Sequence, residues 1–506
     1  MSAPSAGASA RHQSIKNETT RSLKGGAPNE EVAITSLTAK KYRAFGWRDI
    51  NSFPHLQHLS ETARMSMTAV AQVFPFRVNN HVVDELIDWS NIPEDPIFQL
   101  TFPQPAMLSI GDLALMLGLV RRGRDEEIKQ AARQIQVNLN PHPAGQLDLN
   151  VPTMMDQPLP GLQHKYEETV LFFPAAGQTC HAYCSYCFRW PQFAGMDGMK
   201  FASHETDGLV NYLKAHEEVT SVLITGGDPM VMKTSLLRRY IEALLAPELE
   251  HVASIRIGTK ALSYWPYRFL THGDSADLMR LFEKVREEGK ELALMAHFSH
   301  PRELEPAVTR QAFRAVRDSG ATVRCQSPIV KHVNDSADAW VELWKQQVRL
   351  GAVPYYMFVE RNTGPNRYFQ VPLLKAEEVY RKAFRHVSGL ARTVRGPSMS
   401  AMPGKILFIG TAYVYNEEVF VLRFIQARNP EWVGKPFFAR YDPTATWFTD
   451  LKPALGEKEF FFEKELRQLT EASAEAKAAA PHPVGGGTKG RQGMRQDSHV
   501  RRAQRV

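Results

Sequence analysis

Between residues 170 and 360 the chain alternates short apolar runs with longer amphipathic stretches. The apolar runs are VLFF (170–173), SVLIT (221–225), SIRIGT (254–259), LALMAHF (292–298), TVRCQSPIV (322–330) and VPYYMFVE (353–360). Segments such as LLRRYIEALL, ADLMRLFEKVREEG and AVTRQAFRAVRDSG lie between several of them and have the apolar spacing of helices. Strands that alternate with helices every roughly 30 residues form parallel sheets with right-handed crossovers. The pattern therefore predicts an α/β fold, a partial (β/α)6 barrel of the TIM type.

The flanking segments have other patterns. Residues 40–165 show helical spacing in GDLALMLGLV and DEEIKQAARQIQVNL, and prolines interrupt NIPEDPIFQLTFPQP. The two ends of the chain contain too few apolar residues to form a packed core. We therefore expect five segments, which are a disordered N-terminus (1–39), a mainly helical region (40–165), the barrel (166–415), a C-terminal extension (416–470) and a disordered basic tail (471–506).

Composition narrows the class of protein. Hydrophobic residues make up 43% and charged residues 23%, as in globular proteins. No apolar stretch reaches the roughly 20 residues that cross a bilayer, and residues 1–30 lack the apolar core of a secretory signal. We therefore expect a cytoplasmic protein without a membrane partner. Most of the formal net charge of +7 comes from residues 476–506, so the folded body is nearly neutral and nucleic acid is not an expected partner.

Three of the four cysteines lie in the segment QTCHAYCSYCFRW (178–190), where Cys180, Cys184 and Cys187 have the spacing Cys-x3-Cys-x2-Cys. This cysteine window follows the first predicted strand, and barrels of this kind carry their chemistry at the carboxyl ends of the strands. A zinc site needs four ligands, of which His181 could supply one, but zinc motifs usually combine two separate Cys-x2-Cys halves. Three thiolates on one loop suit a 4Fe-4S cluster with one open iron.

The cysteine spacing, the aromatic Tyr186 before Cys187 and the position after the first strand resemble the radical SAM superfamily. In that superfamily the open iron binds S-adenosylmethionine (SAM), whose reductive cleavage gives a 5′-deoxyadenosyl radical. The resemblance implies that the turn TGGDP (225–229), after the second predicted strand, contributes to SAM binding with Gly226, Gly227, Asp228 and Pro229. It also implies an electron donor such as flavodoxin or ferredoxin.

An ordered series of segments from about Ala71 to Gly410 is similar to the lysine 2,3-aminomutase family. The series consists of PLPGLQHKYEETVLFF, the cysteine window, GGDP, IRIGT, HFSHP, QSPIVKHVND and PYYMF. The similarity implies an isomerase that uses pyridoxal 5′-phosphate (PLP) as well as SAM and moves the α-amino group of an L-α-amino acid to the β-carbon. The similarity is also compatible with a homo-oligomer. Nothing after Cys325 supplies the C-terminal zinc cysteines of the lysine enzymes, so no zinc is expected.

The resemblance implies roles for individual residues. Lys405 in MPGKILFIG matches the lysine that forms the Schiff base with PLP, although SAMPG replaces the usual run of glycines before it. Lys165 and Tyr166 match a segment that surrounds the PLP phosphate, with Lys165 in place of an arginine. His297 and Gln326 match positions near SAM.

The same resemblance bears on the substrate. Arg189 matches the arginine whose bidentate fork takes the substrate carboxylate. Lysine-specific members hold the distal ammonium of the substrate between two aspartates, and the matching positions here are Arg361 and Arg395. Two arginines would repel an ammonium by several kcal/mol in a pocket of low dielectric constant and would favour a carboxylate. We therefore expect an acidic substrate, glutamate first, while the neighbouring Glu360 leaves an amine substrate open.

Two alternatives remain. One is lysine 2,3-aminomutase proper, including the branch that isomerises a free lysine for attachment to a translation factor. The other is a non-catalytic iron–sulfur binding or regulatory protein. The intact cysteine window, the GGDP turn and Lys405 argue against the second alternative.

Overall fold

The computed structural model describes residues 39–140, 149–196, 201–203 and 206–479. The predictions of disorder for residues 1–38 and 480–506 therefore concern segments outside the described residues. Residues 471–479, which were expected to begin the tail, instead belong to the helix Glu463–Ala479. Within the described ranges, no helix combines the length and apolar character needed to cross a membrane.

The centre of the fold is an 11-stranded sheet, and two pairs of short strands lie outside it. The strands are β1 (Ala44–Phe45), β2 (Val78–Asn79), β3 (Thr153–Met154), β4 (Gln157–Pro158), β5 (Leu162–Tyr166), β6 (Thr169–Phe172), β7 (Ser221–Ile224), β8 (Ser254–Thr259), β9 (Glu291–His297), β10 (Thr322–Ile329), β11 (Val353–Val359), β12 (Arg395–Ser400), β13 (Gly404–Val414), β14 (Glu417–Ala427) and β15 (Pro436–Arg440). The 11 strands from β5 to β15 are hydrogen bonded in chain order.

The seven strands from β6 to β12 run parallel to one another. Strands β6 to β11 coincide with the six apolar runs of the sequence, which confirms the α/β class. Strand β12 was not predicted because its sequence RGPSMS contains glycine and proline and lacks an apolar run. At the two edges, β5 and the strands from β13 to β15 pair antiparallel, so segment 416–470 contributes strands to the same sheet.

Helices follow most of the parallel strands. Other helices, in the N-terminal region, come before the sheet in the chain. Their bounds are Glu61–Val73, Pro96–Thr101, Ile110–Arg122, Asp125–Asn138, Trp190–Phe193, Asp207–Lys214, Thr234–Ala243, Ala261–Tyr264, Ser275–Glu287, Ala307–Asp318, Ala337–Arg349, Asn366–Phe369, Leu373–Arg385 and Glu463–Ala479. The described part of the predicted helical region contains the first four of these helices.

Local sequence explains where these helices begin and end. Ser60 caps helix Glu61–Val73 by accepting a hydrogen bond from a backbone N–H of the first turn. Ser109 does the same for helix Ile110–Arg122, which ends at Gly123 in the left-handed conformation with φ of 64°. Helix Ile110–Arg122 contains the segment GDLALMLGLV, whose helical spacing was read from the sequence.

Three apolar cores hold the fold together. The largest lies between the sheet and its helices and contains Val222, Ile255 and Leu294. The core of the N-terminal region includes Tyr186 and Trp190 of the cysteine window. Because these two aromatic side chains are buried in that core, the N-terminal region directly supports the loop that carries the cysteines.

Candidate active site

Several of the predicted site residues lie at the carboxyl ends of the parallel strands. The cysteine window follows β6, the turn 225–229 follows β7, and Arg361 lies two residues after the end of β11. His297 is the last residue of β9 and pairs in register with Gln326 on β10. This is the edge where parallel α/β folds collect their functional loops.

The three cysteines are free thiols in half-buried positions. Removal from water raises the pKa of each thiol, to about 12 for Cys187, where the nearby Cys184 adds to the effect. The sulfur of Cys184 lies 3.3 Å from the Tyr264 hydroxyl oxygen. For each thiol, burial outweighs a nearby cation (Arg77, Lys260 or Arg189) that lowers the pKa, and bound iron would stabilise the thiolates further. The cysteine window therefore fits the predicted iron–sulfur cluster.

Among the described residues, no group of three or more His, Cys, Asp or Glu side chains could hold a single metal ion. In a 4Fe-4S cluster each thiolate binds a different iron, so its three ligands need not converge on one point.

Residues of the N-terminal region fix the backbone of the cysteine window. Arg77 donates hydrogen bonds to the Thr179 hydroxyl (2.7 Å) and the Cys180 carbonyl (3.3 Å). The His181 carbonyl accepts from the side chains of Asn79 and Tyr42, at 3.3 and 2.7 Å. These residues lie 102 to 139 positions away in sequence, with no motif that marks them, and only the fold identifies their contribution.

The turn 225–229 packs directly on the cysteine window. A Cβ atom on Gly227 would lie 2.4 Å from the Thr179 carbonyl oxygen, so only glycine fits there. The N–H of Gly227 donates to the Gly177 carbonyl (3.0 Å) and that of Asp228 to the Thr179 carbonyl (2.7 Å). The N–H groups of Gly227 and Asp228 therefore tie the turn to the cysteine window, and the carbonyls of Asp228 and Pro229 accept bonds within the 3-10 turn that follows.

The Asp228 carboxylate joins the ends of two strands. It accepts hydrogen bonds from the Thr259 hydroxyl (2.7 Å) and from the N–H groups of Lys260 and Met230 (both 2.9 Å). These three bonds occupy the carboxylate, so Asp228 positions the turn. Pro229 is buried and begins a single 3-10 turn.

A buried polar network lies beside the cysteine window. The Tyr186 hydroxyl is 3.1 Å from His297 Nε2 and 2.9 Å from the Ser299 hydroxyl. The Lys260 ammonium forms an ion pair with the fully buried Glu303 at 2.5 Å and donates to Ser299 at 3.4 Å. Desolvation, with the Lys260 charge, lowers the pKa of His297 well below its ordinary value, so its imidazole is neutral.

Lys405 stands at the start of β13, in register with Ser400 at the end of β12. Its ammonium donates to the Gln426 side-chain oxygen (2.9 Å) and lies 4.2 Å from the centre of the Tyr356 ring. Desolvation, followed by the charges of Arg256 and Arg395, lowers the pKa of Lys405 to about 7. An amine with this pKa is partly neutral at neutral pH, which a nucleophilic lysine requires.

Further cations surround Lys165. Desolvation and the charges of Arg428, Arg361 and Lys405 lower the pKa of Lys165 well below its ordinary value. The Lys165 ammonium donates to the Ala401 carbonyl. Arg428, which sequence reasoning missed, donates to the carbonyls of Met402 (2.9 Å) and Leu149 (3.2 Å).

Lys165 and Arg428 also line a cleft of about 380 Å³, together with His164, Tyr166, Glu167 and Thr470. The Tyr166 ring lies 5.3 Å from the Lys165 ammonium and 5.8 Å from that of Lys405. Tyr166 therefore lies close to both of the lysines assigned to PLP by resemblance.

The arginines predicted to contact the substrate fall into two places. The guanidinium carbons of Arg189 and Arg361 lie 5.1 and 4.7 Å from the centre of the Phe188 ring, so these two side chains are neighbours. Arg395 is exposed and stacks on Tyr355 (4.5 Å) and Tyr356, at the beginning of β12. The structure therefore brings Arg189 and Arg361 together, whereas Arg395 belongs to a different group of side chains.

Glu360, which directly follows β11, is 7% exposed. Neither of its carboxylate oxygens has a hydrogen-bond partner among the described residues. Desolvation raises the pKa of this carboxyl well above its ordinary value, so the side chain is protonated in this environment.

Lysine 2,3-aminomutases from several bacteria are similar to this chain in sequence. A putative L-lysine 2,3-aminomutase of Aquifex aeolicus (strain VF5) is 32% identical over 404 residues, which are 79% of this chain and 94% of that protein. The L-lysine 2,3-aminomutase of Bacillus subtilis (strain 168) is 25% identical over 335 residues, 60% of this chain and 67% of that protein. That of Clostridium subterminale is 30% identical over 234 residues, 46% of this chain and 53% of that protein. No family model matches the chain.

Two solved structures have limited similarity to this fold. A radical SAM methyltransferase from Sphaerobacter thermophilus covers 57% of this chain and 95% of its own, with a TM-score of 0.34 and 16% identity. Streptococcus suis SuiB bound to precursor peptide SuiA covers 55% of this chain and 62% of its own, with a TM-score of 0.31 and 13% identity. At these TM-scores the structural similarity carries no weight beside the sequence similarity.

Proposed function

Because the chain belongs to the lysine 2,3-aminomutase-like family of radical SAM enzymes, we propose that it isomerises an L-α-amino acid by moving the α-amino group to the β-carbon. Enzymes of this family are isomerases that use a 4Fe-4S cluster, SAM and PLP. The partial (β/α)6 barrel is part of this proposal and would be formed by strands β6 to β11.

One observation carries the proposal, namely the continuous row of functional side chains between the cysteine window and Lys405. Arg189 lies two residues after Cys187, and its guanidinium shares the Phe188 ring with that of Arg361. The charges of Arg361 and Lys405 both act on Lys165. Groups suited to a cluster, a substrate carboxylate and a PLP aldehyde therefore lie next to one another in that order.

The chain offers residues for each cofactor. When bound, the cluster and SAM supply the radical that removes a hydrogen atom from the substrate, and PLP supplies the aldehyde and ring that hold the amino acid. Cys180, Cys184 and Cys187 would hold the cluster, and the turn 226–229 would face SAM together with His297 and Gln326. Lys405 would hold PLP through its amine. An electron donor such as flavodoxin or ferredoxin would reduce the cluster, and a homo-oligomer is compatible with these roles.

We propose an acidic amino acid as the substrate, with glutamate as the first choice. A dicarboxylic amino acid offers one carboxylate to Arg189 and a second to Arg361, and the two guanidinium groups share the Phe188 ring. Among the described residues, no Asp or Glu side chain forms an ion pair with Arg189, Arg361 or Lys165. The ammonium of a lysine substrate would add a further positive charge to this uncompensated group.

A substrate that carries an amine is the second candidate, and Glu360 favours it. A buried carboxyl without a partner would gain stability from an ammonium or guanidinium ligand. The enzyme is tested after anaerobic reconstitution, with separate incubations of glutamate, aspartate, lysine and arginine and chromatography of the β-amino products. Turnover of glutamate or aspartate supports the proposal, and turnover of lysine alone contradicts it.

A further inference from the structure

A second basic group lies next to Lys405, on strands β8, β10 and β12. It consists of Arg256, Arg324 and Arg395, which we name the arginine layer. The guanidinium carbons of Arg395 and Arg324 lie 4.5 and 5.6 Å from the centre of the Tyr355 ring. Arg256 is close enough to Tyr355 and Arg324 that their charges act on its pKa, which desolvation lowers.

The positive charge of the arginine layer is not neutralised by the protein. Within the described ranges, no Asp or Glu side chain forms an ion pair with Arg256, Arg324, Arg395 or Lys405. Arg256 donates one hydrogen bond to the Thr169 hydroxyl (3.3 Å), and its Nε is buried without a partner. Arg256 and Arg324 are half-buried and Arg395 is exposed. Because a half-buried cation without a paired anion and a buried donor without a partner both cost free energy, the site around Arg256 is suited to an anionic ligand.

The anion would lie within reach of a molecule attached to Lys405. The Tyr356 ring contacts both the Lys405 ammonium, at 4.2 Å, and the Arg395 guanidinium, at 4.8 Å. The charges of Arg256 and Arg395 also act on Lys405, whose pKa is lowered mainly by desolvation. In PLP the phosphate arm is on the ring carbon adjacent to the one that carries the aldehyde, so aldehyde and phosphate occupy neighbouring positions of the protein.

We propose that Arg256 and Arg395 bind the phosphate of PLP, and that the Thr169 hydroxyl takes part. This inference rests on the proposed function, because it assumes that PLP binds at Lys405. It gives Arg395 a role toward the cofactor and leaves discrimination of the substrate side chain to Arg361. Guanidinium groups suit this task because they bind phosphate oxygens in a bidentate manner.

The other cations near Lys405 are engaged elsewhere. Lys165 donates to the Ala401 carbonyl, and Arg428 donates to the Met402 carbonyl and to the Asn150 side chain. These bonds fix the turn that precedes Lys405. Tyr166 is opposite Thr169 in the antiparallel pair of β5 and β6. It therefore borders the proposed phosphate site, in which the Thr169 hydroxyl takes part.

The test compares PLP with pyridoxal, which has the same aldehyde and ring but no phosphate. Apoenzyme of the full chain is titrated with each compound, and the absorption band that depends on Lys405 gives both dissociation constants. Arg256→Gln and Arg395→Gln are each expected to reduce the preference for PLP over pyridoxal about tenfold to a hundredfold, as for loss of a charge-assisted hydrogen bond. The affinity for pyridoxal should stay the same, which a merely structural effect would not allow.

Two control variants complete the design. Arg392→Gln removes an exposed arginine that stacks on Phe384 and donates to the Val387 carbonyl, so the preference for PLP should not change. Arg428→Gln tests the alternative phosphate ligand: because Arg428 fixes the turn before Lys405, its loss should weaken PLP and pyridoxal equally and leave the preference between them unchanged. An unchanged preference in both Arg256→Gln and Arg395→Gln, or its collapse in Arg428→Gln alone, would overturn the inference. Absence of any Lys405-dependent band in the wild type would instead refute the proposed function.

Discussion

Arg189 and Arg361 lie over the same aromatic ring, that of Phe188, with guanidinium carbons 5.1 and 4.7 Å from its centre. Arg189 belongs to the cysteine window and Arg361 follows β11, so the fold brings together two cations that are far apart in sequence. The Arg361 guanidinium also donates to the Ser400 carbonyl (3.1 Å), which fixes it relative to the turn before Lys405. A ligand with two carboxylates matches this pair.

Exchange of Arg361 should change which amino acid reacts. We expect Arg361→Asp to lower kcat/KM for glutamate by about a hundredfold, because a charge-assisted pair is replaced by repulsion. The same variant should gain turnover of lysine. Arg361→Gln should lose glutamate turnover without that gain, and Arg367→Gln, which alters an exposed arginine, should behave as the wild type. Equal glutamate turnover by Arg361→Asp and the wild type would rule out this role.

Gly227 should be essential for the cysteine window. In Gly227→Ala the new Cβ would meet the Thr179 carbonyl oxygen at 2.4 Å, so the loop must shift. We expect a loss of about 1–3 kcal/mol in the free energy of unfolding and a lower iron content after reconstitution. The matched control is Gly273→Ala, whose Cβ would meet nothing within 4 Å. If thermal melts and iron assays show no difference between the two variants, the packing of the turn 225–229 does not determine the conformation of the cysteine window.

Lys405 should give PLP binding a characteristic pH dependence. With a pKa of about 7 the neutral amine falls about tenfold from pH 8 to pH 6 and is saturated above pH 8. The rate at which apoenzyme forms the PLP absorption band should therefore level off above pH 8. If the Lys405 amine had the ordinary pKa of lysine, the rate of band formation would continue to rise toward pH 10. Stopped-flow measurements distinguish the two profiles, and Lys405→Ala, which should form no band, is the control.

Glu360 should make the folded protein less stable as the pH rises. Its carboxyl has a raised pKa in the folded state, so the folded protein binds the proton more tightly than the unfolded chain does. Stability from this group is present below the ordinary pKa of glutamate and is lost as the pH rises through the folded pKa. Glu360→Gln should remove that part of the pH dependence of the melting temperature. If the melting temperatures of the variant and the wild type depend on pH in the same way, the Glu360 carboxylate is paired and this prediction is wrong.

The sequence predicted strands β6 to β11 because each is an apolar run between helical segments, and it located the cysteine window and Lys405 by spacing and resemblance. It could not identify Arg77, Arg256 or Arg428, since each acts through a contact with residues more than eighty positions away. Arg395 shows the same limit. Arg395 aligns with a substrate-binding residue of the family, but that alignment does not reveal that Arg395 stacks on Tyr355. The stacking depends on how neighbouring strands pair.

The most direct test of the account is the fate of the substrate nitrogen. The reconstituted enzyme is incubated anaerobically with glutamate labelled with ¹⁵N at the α-amino group, and the product is analysed by NMR. The account predicts 3-aminoglutarate with the label bonded to the β-carbon. Label that remains on the α-carbon of glutamate, while lysine labelled in the same way is converted to its β-isomer, would contradict it.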